Sequence, residues 1–239
     1  MMTRIASELN RGLLDLFYPP VCGACGGQAD SADRLICDSC WETITGFSDP
    51  YCLTCKNFLS PGVKCTICRG GSVPVFSLGY YEDKLESVIY DLKFAGLKPL
   101  AVPIGRKLAD MIDRCGYRDR IDFIVPIPIH HSRLQMRGFN QADEIAKSIG
   151  NELRISVLSE TLRVRRKKRQ QARLNAAERE RNMHDALGPG RSQNSLKGAS
   201  ILIVDDVTTT GATILEARRV LKKELGAKKI FAAVAATAL

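Results

Sequence analysis

No run of about 20 consecutive apolar residues, the length a membrane-crossing helix needs, occurs in this 239-residue chain. A transmembrane helix is therefore not expected. The first sixteen residues are no secretory signal either, because Arg4, Glu8, Arg11 and Asp15 interrupt their apolar positions. The expected location is the cytoplasm, with a peripheral place at the inner membrane face as its variant. The chain also lacks a Gly-x-x-x-x-Gly-Lys-Ser/Thr loop, so an acidic strand end here is not half of a P-loop nucleotide site. Carboxylates are scarce in one segment above all. Residues 163–182 hold nine Arg or Lys against two Glu, +7 of the formal net charge of +9. Basicity this local needs a local cause. The same segment has no aromatic residue. It offers no stacking platform and would hold nucleic acid through phosphate contacts.

Cysteine, by contrast, is plentiful. Eight of the nine form four Cys-x-x-Cys pairs: Cys22/Cys25, Cys37/Cys40, Cys52/Cys55 and Cys65/Cys68. Four such pairs in a cytoplasmic chain argue for structural zinc over disulfides or a redox motif. Each pair makes a knuckle that points two thiolates at a metal, and two knuckles complete a tetrahedral site. The gaps assign one Zn²⁺ to Cys22, Cys25, Cys37 and Cys40, and another to Cys52, Cys55, Cys65 and Cys68. Spacing also permits a cross-braced pairing, first knuckle with third. A module this short buries little core, so metal supplies most of its folding energy. It can be structural only, or bind nucleic acid or protein. Cys115 stands alone and reads as a packed thiol.

Three regions follow from composition: an N-terminal amphipathic helix over 1–20, a Cys-rich zinc module over 21–71, and an α/β domain over 72–239. Ile5, Leu9, Leu13, Leu14 and Phe17 share one helical face that ends at Pro19-Pro20. That helix is expected to dock on the next domain. Its polar face is too poor in Lys and Arg for a membrane-surface helix. After Gly70-Gly71-Ser72 the pattern runs strand, two helices, strand, helix, strand, basic flap, strand, helix, strand. The strands are expected at 73–81, 121–128, 157–162, 201–204 and 229–235. Alternation of this kind gives a parallel-type sheet with helices on its faces. Lys93 falls late in its helix and reads as a solvated residue or a partner of the helix dipole. Asn140 or Gly138 is expected to start the helix that buries Ala142, Ile145, Ala146 and Ile149. His130 and His131, without a metal-ligand motif beside them, read as surface or phosphate-adjacent residues.

The richest stretch lies near the C-terminus. Ile201-Leu202-Ile203-Val204 is an apolar strand. Asp205 and Asp206 close it, and Thr208, Thr209, Thr210, Gly211, Ala212 and Thr213 form a loop into a helical repeat. Loops at the carboxyl ends of parallel strands are where open α/β sheets bind ligands. A helix N-terminus suits a phosphate, and Gly211 lets the backbone approach it. Two carboxylates can hold sugar hydroxyls or a hydrated Mg²⁺. One ligand carrying both a sugar and a phosphate would satisfy loop and acid pair together.

This stretch resembles the signature of the type I phosphoribosyltransferases, which implies a site for phosphoribosyl pyrophosphate (PRPP) bound with Mg²⁺. In that family the loop after the first sheet strand embraces pyrophosphate. The corresponding segment here begins at Val125-Pro126-Ile127-Pro128 and carries Arg133 and Arg137, candidates for pyrophosphate or base-stacking contacts.

The resemblance narrows to the ComF family of competence proteins. Its carriers are Leu16-Phe17-Tyr18-Pro19-Pro20, the four Cys-x-x-Cys pairs, Leu92-Lys93-Phe94, Val125-Pro126-Ile127-Pro128, Arg137-Gly138-Phe139-Asn140-Gln141, Gln171-Ala172-Arg173-Leu174 and the acid-pair stretch. The basic flap is more densely charged than the family usually has. The resemblance implies a role in natural transformation, where incoming DNA is handled as a single strand beside an ATP-dependent helicase-like partner. It implies a PRPP-binding form without a securely assigned reaction.

Two functions follow as expectations. In the first, single-stranded DNA lies on Arg163, Arg165, Arg166, Lys167, Lys168, Arg169 and Arg173, and the pocket holds PRPP, a nucleotide or a DNA end. In the second, the chain transfers phosphoribose from PRPP to a nitrogen base. Asp205 and Asp206 would then act on the ribose, 208–213 on its 5′-phosphate, and Arg133 and Arg137 on the departing pyrophosphate.

Overall fold

The structure, a computed structural model, describes residues 21–29, 35–44, 46–60, 63, 65–68, 72–165, 186–191 and 196–238. The expected helix over 1–20 and the basic residues Arg166, Lys167, Lys168, Arg169 and Arg173 lie outside the described residues.

A five-stranded sheet organises the chain. Its strands are β1 (Tyr51–Cys52), β2 (Pro74–Ser77), β3 (Phe123–Pro126), β6 (Ser200–Thr208) and β7 (Lys229–Thr237), in the order β1-β2-β7-β6-β3. The last four strands in that order run parallel, as the alternating pattern predicts. β1 belongs to the Cys-rich module and pairs antiparallel with β2. β6 lies between β7 and β3, and Ile201, Leu202, Ile203 and Val204 are fully buried there. An apolar run of this kind is what a strand covered on both faces requires.

Helices cover the two faces. Short α1 (Asp38–Thr43) lies in the first half of the Cys-rich module. α2 (Asp83–Tyr90) continues into a π turn (Asp91–Ala95) that Gly96 ends at φ 71°. A short 3₁₀ turn leads into α3 (Ala101–Arg114). α4 (His131–Arg137) is ended by Gly138 at φ 79°, and α5 (Gln141–Leu153) follows. α6 (Ala212–Lys223) comes after β6. Leu202 and Val204 of β6 pack with α2, α3 and α5, together with Cys22, Ile36 and Cys40 of the module. Ile201 and Ile203 pack with Ile214, Ala217, Val220 and Leu221 of α6, together with Tyr51 and Leu53. The module therefore contributes apolar side chains to both layers. Helices α3 and α5 close tightly where Gly105 meets Ser148, whose hydroxyl donates to the Val102 carbonyl at 2.9 Å.

Three expectations change. The segment 133–137 is helical rather than a loop. All its residues are exposed or half-buried, so no apolar period marks it. The strand expected over 157–162 is a single parallel bridge, Val157 to Ile124. Leu162 instead opens β4 (Leu162–Val164), which pairs antiparallel with β5 (Leu187–Pro189) in a separate hairpin. A turn bonded from Thr161 N–H to the Leu158 carbonyl redirects the chain there. Finally, β7 runs on to Thr237, whose hydroxyl bonds to Tyr51 Oη at 2.9 Å and donates to Ser77 Oγ at 3.1 Å. That buried network ties the module to the carboxyl ends of β2 and β7.

Candidate sugar-phosphate site

The acid pair sits at the carboxyl end of β6. Strand alternation sends Asp205 toward the α6 face and Asp206 toward the α2 face. Lys93 meets Asp206 there, Nζ to Oδ1 at 3.0 Å, with each side chain only 16% exposed. Lys93 is thus neither solvated nor spent on a helix dipole. The π turn directs it across the layer onto the acid pair. Its ammonium also lies 5.9 Å from the Tyr81 ring centroid. Burial, then the charges of Glu86 and Asp206, raises the Tyr81 phenol pKa.

Asp205 accepts a hydrogen bond from the Asp206 N–H at 2.9 Å. Burial, reinforced by the neighbouring Asp206 carboxylate, pushes Asp205 up to about 8; that hydrogen bond and Lys93 act the other way. Asp205 therefore takes up a proton far more readily than an ordinary carboxyl, and when protonated it gives the pair one donor beside several acceptors. Two adjacent sugar hydroxyls, each a donor and an acceptor, can bond to such a pair.

The loop after β6 turns at once into a helix. Thr208 is buried as the last residue of β6, and Thr209 and Thr210 are exposed. Gly211 caps α6 at φ 80°, and the Thr210 hydroxyl accepts from Ala212 N–H at 3.3 Å. The first turn of a twelve-residue helix aims its free N–H groups at this loop. A phosphate fits such a place by charge and by hydrogen bonding. Ala212 and Thr213 are half-buried at its base.

Arg133 and Arg137 lie on α4, across the end of β3 from the loop. Arg133 is exposed and Arg137 half-buried. Arg137 Nη1 donates to Gln141 Oε1 at 3.0 Å, and its guanidinium carbon lies 4.9 Å from the Phe94 ring centroid. Burial lowers the Arg137 pKa, the Asp206 charge raises it and Arg133 lowers it. Arg137 and Asp206 therefore share one electrostatic field. Asn140 fixes the loop by capping α5 at Ala142 N–H and by donating to the Ile127 carbonyl at 2.9 Å. His130 caps α4 by accepting from Ser132 N–H at 3.2 Å.

The Cys-rich module supplies a wall that the spacing of the cysteines does not announce. Leu53, 2% exposed, lies against Gly211 so closely that a Cβ there would sit 2.6 Å from Leu53 Cδ1. Lys56 Nζ donates to the Thr209 carbonyl at 3.3 Å. Burial lowers the Lys56 pKa.

The eight cysteines form two tetrads, Cys22/Cys25/Cys37/Cys40 and Cys52/Cys55/Cys65/Cys68. Within each, all sulfurs lie within 4.8 Å of one another. Spacings of 4.0 Å for Cys25–Cys37, 3.7 Å for Cys52–Cys68 and 3.5 Å for Cys55–Cys65 are far too long for disulfides. They match the edge of a tetrahedron of about 2.3 Å Zn–S bonds. Backbone N–H groups of Ala24 and Cys37 point at Cys22 Sγ, as knuckles do. The tetrads fit two structural zinc sites, and the knuckles pair first with second and third with fourth, not cross-braced. Cys115 is buried and donates to the Ser48 carbonyl at 3.7 Å; burial raises its pKa.

Of the predicted basic residues, Arg163 is exposed on β4. Arg165 bonds Glu224 at 2.7 Å, beside Arg219, which holds the same carboxylate at 3.0 Å. Among the described residues no helix is long and apolar enough to cross a membrane.

A double zinc ribbon joined to a phosphoribosyltransferase-type sheet is what this fold and site define. Residues 13–69 match the double zinc ribbon domain, and residues 98–238 match the phosphoribosyl transferase domain. Competence protein F of Haemophilus influenzae is 27% identical over 90% of this chain and 95% of its own length. DNA utilization protein YhgH of Salmonella typhimurium is 30% identical over 67% of this chain and 72% of its own. Competence protein ComFC of Bacillus subtilis is 24% identical over 79% and 78%. The chain belongs to the ComF family.

Proposed function

We propose that this chain handles single-stranded DNA in competence or DNA utilisation. Its pocket would hold a ribose phosphate: PRPP with Mg²⁺, a nucleotide or a DNA end. The observation that carries the reading is an acid pair at the carboxyl end of β6 that runs through a short threonine loop into a helix N-terminus. Lys93, Arg133 and Arg137 add positive charge at its edge. Asp205 and Asp206 take the sugar hydroxyls, the loop Thr208–Thr213 takes the phosphate, and the arginines take a second anionic group. The basic segment 163–182, with Arg163 at its described edge, would bind the strand through phosphates. Arg165 contributes less to that surface, because Glu224 already neutralises it. The names of the relatives favour a role in competence or DNA utilisation, and the cytoplasmic location and helicase-like partner are part of the same proposal.

Calorimetry with PRPP·Mg²⁺ and with oligo-dT tests this, on wild type and on Asp205→Ala/Asp206→Ala. PRPP binding should vanish in the double variant while oligo-dT binding persists. DNA affinity should fall steeply with salt, by about 0.7 in log–log slope for each phosphate neutralised on a single strand. Replacing Arg166, Lys167, Lys168 and Arg169 with alanine should flatten that slope by up to ~3. An unchanged slope removes the basic segment from the DNA site.

The second reading, phosphoribosyl transfer to a nitrogen base, draws on the domain match over 98–238. Bound PRPP would supply the phosphoribosyl group and its pyrophosphate leaving group. The chain's own part is placement and charge: Asp205 and Asp206 orient the ribose, and Arg133 and Arg137 steady the charge on the pyrophosphate. PRPP-dependent pyrophosphate release on adding a base, lost in the double variant, would establish it. No release with any base refutes it.

A further inference from the structure

Most described aromatic side chains are consumed in packing. Phe76 and Phe231 meet Tyr117 edge to face in the core, and Phe58 and Tyr80 sit edge-on against Phe47. Phe58 is as exposed as Tyr90 and Phe94, but it is Tyr90 and Phe94 that adjoin Lys93 and Arg137. Each is 56% exposed, and their ring centroids are 5.0 Å apart with planes tilted by 44°. The Arg137 guanidinium lies 4.9 Å from the Phe94 centroid. Together they set two solvent-exposed rings beside a half-buried guanidinium.

That surface is joined to the sugar-phosphate site at two points. Phe94 sits in the π turn Asp91–Ala95 beside Lys93, whose ammonium is 3.0 Å from Asp206. Arg137 spans the gap from the other side, with its carbon over Phe94 and its charge in the field of Asp206. A π turn adds a residue to the helical turn and recurs at functional sites. Here neighbouring residues serve two directions, Lys93 toward the acid pair and Phe94 toward solvent. Exposed aromatic surface continuous with a charged pocket marks a ligand site. A ligand whose sugar is held by Asp205 and Asp206 would carry its next group here, and the chemistry that fits is flat, aromatic and polarisable. Every nucleobase has such a face, and rings and guanidinium planes stack on it.

We propose that Tyr90 and Phe94, with Arg137 laid on Phe94, are the stacking platform for a nucleobase attached to, or adjoining, the sugar phosphate in the pocket. The proposal rests on the ribose-phosphate reading above. It also supplies the aromatic contact that the basic segment lacks. The base has two possible sources, a mononucleotide or a DNA strand.

The test measures affinity at fixed salt for two pairs of ligands. Uridine 5′-monophosphate, which keeps both ribose hydroxyls, is compared with ribose 5-phosphate by calorimetry. A 5′-phosphorylated oligo-dT is compared with an abasic strand of equal length by fluorescence anisotropy. Wild type should prefer the base-bearing member of a pair by about 5- to 100-fold. Preference in both pairs assigns the platform to any nucleotide, and preference in the strand pair alone assigns it to DNA. Phe94→Ala and Tyr90→Ala should erase the preference, with ribose 5-phosphate still bound by the acid pair and the loop. Phe94→Trp should retain it. Both side chains are more than half exposed, so the variants should melt near wild type. If ribose 5-phosphate binds but wild type ignores the base, the platform is refuted and the pocket stands. If ribose 5-phosphate does not bind, both fall.

Discussion

The contact between Leu53 and Gly211 makes a quantitative prediction about how the second zinc ribbon and the phosphate loop depend on one another. Gly211→Ala places a Cβ where φ is 80° and 2.6 Å from Leu53 Cδ1. The left-handed backbone alone costs a residue with a Cβ about 1–2 kcal/mol. Forcing a methyl against a fully packed leucine adds about 1–3 kcal/mol. Gly211→Ala should therefore cost roughly 2–5 kcal/mol. Leu53→Ala removes a side chain that is 2% exposed, at about 2–5 kcal/mol. The two losses should not add. With Leu53 truncated, the new methyl occupies vacated space and only the backbone cost remains. The double variant should be about 1–3 kcal/mol more stable than the sum of the singles predicts. Urea unfolding of the four zinc-loaded proteins measures this coupling, with zinc content checked for each. Additivity within about 0.5 kcal/mol would mean that the ribbon does not press on the loop, and the wall described for the pocket would be wrong.

The tetrads should differ in their effect on that pocket. Cys65→Ser, in the ribbon that carries Leu53 and Lys56, should weaken ribose 5-phosphate binding by roughly tenfold through loss of Lys56 and slackening of the loop. Cys37→Ser, in the ribbon that packs on the α2 and α3 layer, should leave it nearly unchanged; equal effects in calorimetry would refute the assignment. Asp205 should make the ligand-free protein less stable as pH rises. Its folded value of about 8 lies above the 3.8 of an ordinary carboxyl, so the folded state binds the extra proton between them. Stability from this group is then lost from about pH 4 to about pH 8, by an amount on the order of a few kcal/mol. Asp205→Asn should flatten the decline in urea unfolding at pH 5 and pH 8 while abolishing ribose binding. Parallel profiles for the two proteins would refute the shift.

What was legible in the sequence was whatever is encoded locally. Asp205 to Thr213 declares strand, acid pair, turn and helix within a dozen residues, because apolar run, carboxylates, glycine and helical repeat each act on their immediate neighbours. The zinc ligands were legible for the same reason, since a knuckle is two cysteines and the turn between them. Their pairing was not, because the gaps permit a cross-braced arrangement as well, and only the position of the sulfurs decides it. α4 was missed because it contributes nothing to the core and so leaves no apolar period. The strand expected at 157–162 was misplaced because a β-rich stretch does not say which sheet it joins.

The rest depends on contacts between distant segments, and these convert a phosphate loop into a pocket. Lys56 reaches a carbonyl 153 residues away, and Tyr51 meets a hydroxyl 186 residues away. Neither residue is chemically unusual, so nothing in its neighbourhood marks it. Their positions follow from β1, which adds the zinc module to the edge of the sheet beside β2 and so brings its third knuckle to the carboxyl ends of the strands. Lys93 is the sharpest case. Its local sequence fits a solvated lysine, yet strand alternation turns Asp206, and not Asp205, toward the layer that the π turn covers. That division gives the two carboxylates different work. Asp206 is held by Lys93 at 3.0 Å, whereas Asp205 accepts from the Asp206 N–H and feels Lys93 through its charge alone. A ligand whose hydroxyls bond the Asp205 carboxyl would offset the burial that raises its pKa. The destabilisation predicted for Asp205 and the affinity predicted for the ribose are then two readings of one interaction.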